Sequence, residues 1–417
     1  MNELSLLLIF LGLLLATLTA TRWLSDRLDQ PPVLGELLLG VILGNAGVWL
    51  GEPLFAILMN PESSENLAQS APVAAHVATI FEALAELGAV LLLFAAGLET
   101  SVAEMKRVGG RATAVAIAGV FAPFALAYLT CLLLHVQMDL SGHLFLAATL
   151  SATSVGITAS VLKDLGAIKR PESEVILGAA VIDDILGLVM LAVVSRVAVS
   201  GSVDGLLIGK TVIIAILFIA MVIFAGEWIA ARGKSFAHRL DRTNGILFFA
   251  LAFAFGVSWI AQSIGLAAIV GAFAAGLVIR DQSSQLGSET SGETPRSMAT
   301  TISPLQCFLS PLFFLFVGMQ VDVRFFLDGN TLLLALVFCI CAILGKLAAG
   351  LAAGRDLHRL TVGIGMVPRG EVGLVFLGAG RGLGVIGDSL FAALVIVVFV
   401  TTLITPPALK WVMGSEE

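Results

Sequence analysis

Two adjacent aspartates, Asp183 and Asp184, lie inside the otherwise uncharged apolar stretch GAAVIDDILGLVML, residues 178–191. An unpaired carboxylate in hydrocarbon costs at least about 2.5–3.5 kcal/mol on insertion scales. Burial and a nearby cation pull a carboxylate's proton affinity in opposite directions, so the group can be poised to hold either a proton or a metal cation. That competition is the chemistry of exchange. Neighbouring residues on a helix point about 100° apart, so the two carboxylates can meet different surroundings. Two basic residues, Lys346 and Arg369, also fall inside apolar stretches. Lys346 is the candidate charge partner of one aspartate, leaving the other to face a cavity. The competing reading is an inert ion pair that orients helices. Such pairs stabilise poorly, and one lysine does not neutralise two aspartates.

The elements that position these charges follow from composition. Of 417 residues, 58% are hydrophobic and 13% charged, with mean hydropathy +1.01. Soluble domains carry about 25% charged residues, so the chain reads as an all-α polytopic membrane protein. Nothing in its net charge of −7 points to nucleic acid. Thirteen apolar spans are predicted, at 4–21, 33–50, 77–98, 112–134, 144–162, 173–195, 206–230, 244–264, 266–280, 302–320, 331–353, 360–380 and 386–412. The first follows Met-Asn-Glu rather than a basic stretch and reads as a retained helix, not a signal peptide. Cys131, Cys307, Cys339 and Cys341 lie in apolar segments without metal-ligand spacing.

Positive residues accumulate on the cytoplasmic side of membrane proteins. Loops after odd-numbered spans hold sixteen Lys and Arg, whereas those after even-numbered spans hold only Arg196, Lys210, Arg324 and Arg381. The alternation predicts an N-terminus outside and a C-terminus, with Lys410, on the cytoplasmic side. Two internal similarities sit seven spans apart: LLLFAAGLETSV (91–102) with LFFLFVGMQVDV (312–323), and GELLLGVILGN (35–45) with GAFAAGLVIRD (271–281). An odd offset inverts the second copy, so spans 1–6 and 8–13 read as two inverted six-helix repeats joined by span 7. Secondary transporters are often built this way, with the site at the midplane.

Under that repeat, spans 5 and 12 correspond, and both look interrupted. Span 5 crowds Ser151, Thr153, Ser154, Gly156, Thr158 and Ser160 together, and span 12 carries Pro368 among four glycines in VGIGMVPRGEVGL. Non-helical backbone at membrane depth survives only when buried in protein or lining a cavity. Close packing of small hydroxyl residues is the plainer reading of span 5 alone. At about 1.5 Å per residue, Asp184, Thr153, Ser154 and the 368–371 segment fall roughly 12–17 Å deep, and Lys346 about 22 Å. Arg369 and Glu371 can pair with each other or balance half-helix ends. Glu82 and Glu86, one turn apart on span 3, read either as an outer funnel or as a solvated helix end; Glu36 reads as an inner-end residue near the headgroups.

At GELLLGVILGN, LAELGAVLLLFAAGLE, AAVIDDILGLV and PRGEVGLVF the chain resembles the monovalent cation:proton antiporter-2 family, the group of NapA-type Na+/H+ antiporters and the Kef potassium systems. The resemblance covers nearly the whole chain. It implies an NhaA/NapA-like fold with crossed broken helices, a homodimer without cofactors, and an elevator-like motion of a core against a dimerisation domain. The dimerisation domain would comprise residues 1–105 and 241–330, the core 106–200 and 331–417, and the linker 201–240. It further implies Na+ bound at Asp184, Asp183 paired with Lys346, Thr153 and Ser154 completing the site, and Glu371 compensating half-helix ends. Asp-Asp members typically exchange Na+ or Li+ for H+ electrogenically, whereas Kef-type systems have Gln-Asp and a nucleotide-binding domain; this chain has Asp-Asp and stops shortly after span 13. K+/H+ antiport within the same family is the alternative, and a cation channel a remoter one. An intramembrane aspartyl protease needs aspartates on separate helices, and its Gly-x-Gly-Asp element is absent from this sequence. A bacterial plasma membrane and an internal membrane such as a thylakoid both fit.

Overall fold

The structure is a computed structural model describing residues 3–28, 30–45, 71–99, 109–136, 138–154, 158–159, 161–162, 165, 167, 170–201, 205–240, 245–285 and 298–414. The described residues form fourteen α-helices and no strand. In the first half these are α1 (Glu3–Arg27), α2 (Pro32–Gly44), α3 (Ala71–Glu99), α4 (Gly109–Leu133), α5 (Leu140–Ser151) and α6 (Pro171–Ser200). A long α7 (Gly205–Leu240) follows. The second half comprises α8 (Gly245–Ser263), α9 (Ala268–Gln285), α10 (Met298–Met319), α11 (Gly329–Gly350), α12 (Arg359–Gly365), α13 (Glu371–Gly382) and α14 (Asp388–Gly414). Six of these, α3, α4, α6, α10, α11 and α14, contain stretches long and apolar enough to cross a membrane.

Each expected span meets a helix, and span 12 meets the pair α12 and α13. Residues 46–50 of span 2, and Gly156 and Ser160 of span 5, lie outside the described residues. Boundaries differ for local reasons. Helix α5 starts at Leu140 because the Asp139 carboxylate accepts the Gly142 N–H at 2.9 Å, capping the helix before its apolar run. Spans 8 and 9 are separated by a turn in which Gly265 has φ +84°, a conformation that favours glycine.

With lipid outside and protein inside equally apolar, membrane helices associate through close packing of small residues rather than through the hydrophobic effect. Helix α3 packs on α9 and α10, α2 on α10, and α4 on α11 and α6. Glycines set the closest approaches. A Cβ on Gly276 of α9 would lie 2.2 Å from the Phe94 carbonyl of α3, and one on Gly97 of α3 would lie 2.2 Å from the Phe273 carbonyl of α9. The same reciprocal contact joins α2 and α10, where Gly40 meets the Leu315 carbonyl and Gly318 meets that of Leu37. Pro123, inside α4, lies directly against Gly345 of α11. Because the obstructing atoms are backbone, Gly276→Val must push α3 and α9 apart. Overpacking of this kind costs about 1–3 kcal/mol or more, and thermal unfolding in detergent should show a clear drop in Tm, against no change for Gly12→Ala, whose surroundings are open.

Candidate functional site

The interruption in α5 begins with hydroxyl groups that compete for backbone acceptors. Thr149 donates to the Phe145 carbonyl at 2.8 Å and Ser151 to that of Ala148 at 2.7 Å. The chain then turns extended at Ala152 (φ −60°, ψ 146°), and Thr153 and Ser154 are non-helical. Helix α12 stops at Gly365, and Pro368, which lacks an N–H, prevents it from continuing. Helix α13 restarts at Glu371 after Gly370.

The two interrupted stretches cross and satisfy each other. The Ser154 N–H donates to the Pro368 carbonyl at 2.9 Å, and the Thr158 hydroxyl donates to the Gly365 carbonyl at 2.6 Å. Arg369, only 1% exposed, donates through Nη1 to the Ala152 carbonyl at the end of α5 and through Nη2 to the Ala342 carbonyl of α11 at 3.4 Å. A cation at a helix C-terminus is favourably placed against the partial negative charge there. The Thr402 hydroxyl of α14 donates to the Arg369 carbonyl. Arg369 thus ties both breaks to α11. Glu371 opens α13, and its side chain lies outside the described residues.

Beside this crossing stands the buried ion pair. Lys346 of α11 is 0% exposed and Asp183 of α6 is 2% exposed, with Nζ 3.3 Å from Oδ1. The Lys346 ammonium fits over Gly119 of α4, where a Cβ would lie 3.4 Å from Nζ. Asp184, the next residue on α6, is only partly buried, as expected of side chains about 100° apart. Lys346 interacts electrostatically with both aspartates and with Arg369, and Arg369 does so with Asp183. Two buried cations, Lys346 and Arg369, therefore both act on Asp183.

Thr153 and Ser154 are buried next to the crossing, and the Thr153 hydroxyl has no hydrogen-bond partner among the described residues. The Nε of Arg369 is likewise buried without a partner there. Glu82 and Glu86 stand away from this cluster, exposed on α3. Glu36 is 2% exposed and accepts a bond from Arg22 Nε at 2.8 Å. Sequence reading missed Thr158 and Thr402 as partners of span 12, although the Thr401, Thr402 and Thr405 cluster inside an apolar span was a signal for polar contacts at depth.

Comparison with known proteins places this geometry. Residues 12–414 match the family described as sodium/hydrogen exchanger, transmembrane. The chain is similar to the high-affinity Na+/H+ antiporter NhaS3 of Synechocystis, at 35% identity over 94% of this chain and 86% of that one. It is also similar to the Na+/H+-K+ antiporter GerN of Bacillus cereus, at 33% identity over 94% and 93% of the two chains. Its fold resembles the solved structure of the sodium proton antiporter MjNhaP1 from Methanocaldococcus jannaschii, with TM-score 0.66, 16% identity and coverage of 99% of this chain and 98% of that chain. A match running through both interrupted helices and the paired aspartates makes the chain a membrane transporter, not an enzyme, and a member of the sodium/hydrogen exchanger family.

Proposed function

We propose that this transporter exchanges Na+ or Li+ for protons across the membrane, with Asp184 as the shared binding group. The observation that carries the reading is the buried Lys346–Asp183 pair beside two crossed, interrupted helices. Asp183 is paired with Lys346, and its neighbour Asp184, only partly buried, is the carboxylate this reading assigns to the incoming ion. Hard monovalent cations are best held by oxygen donors. The Thr153 hydroxyl, which has no partner among the described residues, and the polar backbone around Ser154 supply them. Na+ and a proton exclude each other at Asp184. A further proton taken up at the Asp183–Lys346 pair on the opposite stroke makes the cycle electrogenic.

The finer architecture belongs to the same reading: thirteen spans, N-terminus outside and C-terminus cytoplasmic, arranged as two inverted repeats. The reciprocal glycine contacts support the repeat. Exchanging α2 with α9 and α3 with α10 turns the Gly97–Gly276 contact into the Gly318–Gly40 contact. The packing also supports a scaffold of residues 1–105 and 241–330 and a core of 106–200 and 331–417, with 201–240 linking them. In the elevator-like cycle the core carries the crossing past the scaffold, which forms the homodimer. K+/H+ antiport is the second reading, favoured by similarity to a relative named for K+ as well as Na+.

Proteoliposomes carrying a pH dye inside, given Na+, Li+ or K+ in turn, test the assignment. Na+- or Li+-dependent proton flux should vanish in Asp184→Asn while thermal stability is kept; full flux in that variant would remove Asp184 from the site. K+ acting as strongly as Na+ would put the second reading first. Removing one partner of a buried ion pair costs about 3–5 kcal/mol, so Lys346→Ala should lower the unfolding temperature sharply. The double variant Asp183→Asn/Lys346→Gln, which leaves no uncompensated charge, should recover most of that loss. Equal stability of Lys346→Ala and wild type would show that the pair is not maintained.

A further inference from the structure

Helix α14 packs against α11, α12 and α13 and carries three buried threonines, Thr401, Thr402 and Thr405, each no more than 1% exposed. Two of them serve their own helix. Thr401 donates to the Val397 carbonyl at 2.8 Å and Thr405 to the Thr401 carbonyl at 2.7 Å, a common outlet for a hydroxyl inside a helix. Thr402 instead sends its hydroxyl to another element, the Arg369 carbonyl in the break between α12 and α13.

The backbone of α14 is weakest at the same level. Pro406 and Pro407 lie inside the helix and have no N–H, so the carbonyls four residues earlier, those of Thr402 and Leu403, lose their helical donors. Helices bend at such prolines, and contacts with neighbours then set how α14 lies against the crossing. The Thr402–Arg369 bond is such a contact.

Arg369 passes that contact on to the candidate cation site. Its Nη1 donates to the Ala152 carbonyl, next to Thr153. The carbonyl of Pro368, one residue before it, accepts the Ser154 N–H at 2.9 Å. A shift of the Arg369 backbone therefore displaces both Thr153 and Ser154.

We propose that Thr402 is a positioning residue of the cation site, its hydroxyl holding the Arg369 carbonyl and, through Arg369, the 152–154 segment in the geometry that binds the ion. This rests on the exchange reading above and adds α14 to the elements on which the site depends. Without the hydroxyl, the Arg369 carbonyl loses this donor and the segment relaxes away from the ion. Cation affinity falls, while the loaded transporter still completes its cycle.

Initial rates of proton flux in proteoliposomes test this, measured at one fixed pH against the concentration of whichever of Na+, Li+ or K+ drives exchange. Thr402→Val keeps the side-chain shape without the hydroxyl. It should raise the half-saturating cation concentration about fivefold, the order of one hydrogen bond's net contribution, with the maximal rate little changed. Thr402→Ser, which keeps the hydroxyl, should match the wild type, and Thr402→Cys, a weak donor, should fall between. Thr401→Val should leave half-saturation unchanged whatever it does to the unfolding temperature. An unchanged half-saturating concentration in Thr402→Val, even with a lowered unfolding temperature or maximal rate, would overturn the proposal and leave Thr402 a packing residue. An equal rise in Thr402→Ser or Thr401→Val would overturn it too. Should Thr402→Val fail to fold, Thr402→Cys decides by the same comparison. A wild type without any cation-driven flux would remove the exchange reading and this inference together, whereas the other negative results remove this inference alone.

Discussion

Charge held away from water must be balanced where it stands, and this structure is organised around that requirement. Lys346 and Asp183 are both almost wholly buried and 3.3 Å apart, and Arg369 adds a second buried cation next to them. None of the three is tolerable alone at such depth. Each therefore demands that α6, α11 and the α12–α13 break stay in register. The broken helices impose the complementary demand, since their freed backbone groups need partners where no water is available. Arg369 answers both at once, bonding the end of α5 and a carbonyl of α11 while facing Asp183.

A site built on such a cluster is useful because it is balanced but not saturated. The pair fixes one aspartate and leaves its neighbour partly open. At the crossing the buried Thr153 hydroxyl has no hydrogen-bond partner among the described residues. A closed, fully satisfied network would be rigid and inert; an unsatisfied one would be too costly to fold. An ion that comes and goes can complete the network only if the protein leaves a place for it.

Helices approach most closely where glycines let backbone meet backbone. Backbone-to-backbone glycine contacts bind α3 to α9 and α2 to α10. A proline–glycine contact binds α4 to α11 around the charges. An apolar groove is lined by residues of α1, α2 and α14.

Much of this was legible in the amino-acid sequence. Apolar runs bounded by charges located the helices, because crossing hydrocarbon requires about 20 apolar residues. The cost of intramembrane charge singled out Asp183, Asp184, Lys346 and Arg369, and serine, threonine, proline and glycine clusters marked the two breaks. The similarity between spans 3 and 10 also aligned Gly97 with Gly318. What it left open was which atoms meet. Only tertiary structure decided that Arg369 bonds Ala152 and Ala342, that Glu36 is buried against Arg22, and that Thr158 and Thr402 donate to the break between α12 and α13. The physical reason is that periodicity and transfer cost act within one helix, whereas hydrogen-bond partners are set by how helices far apart in the chain rotate and cross.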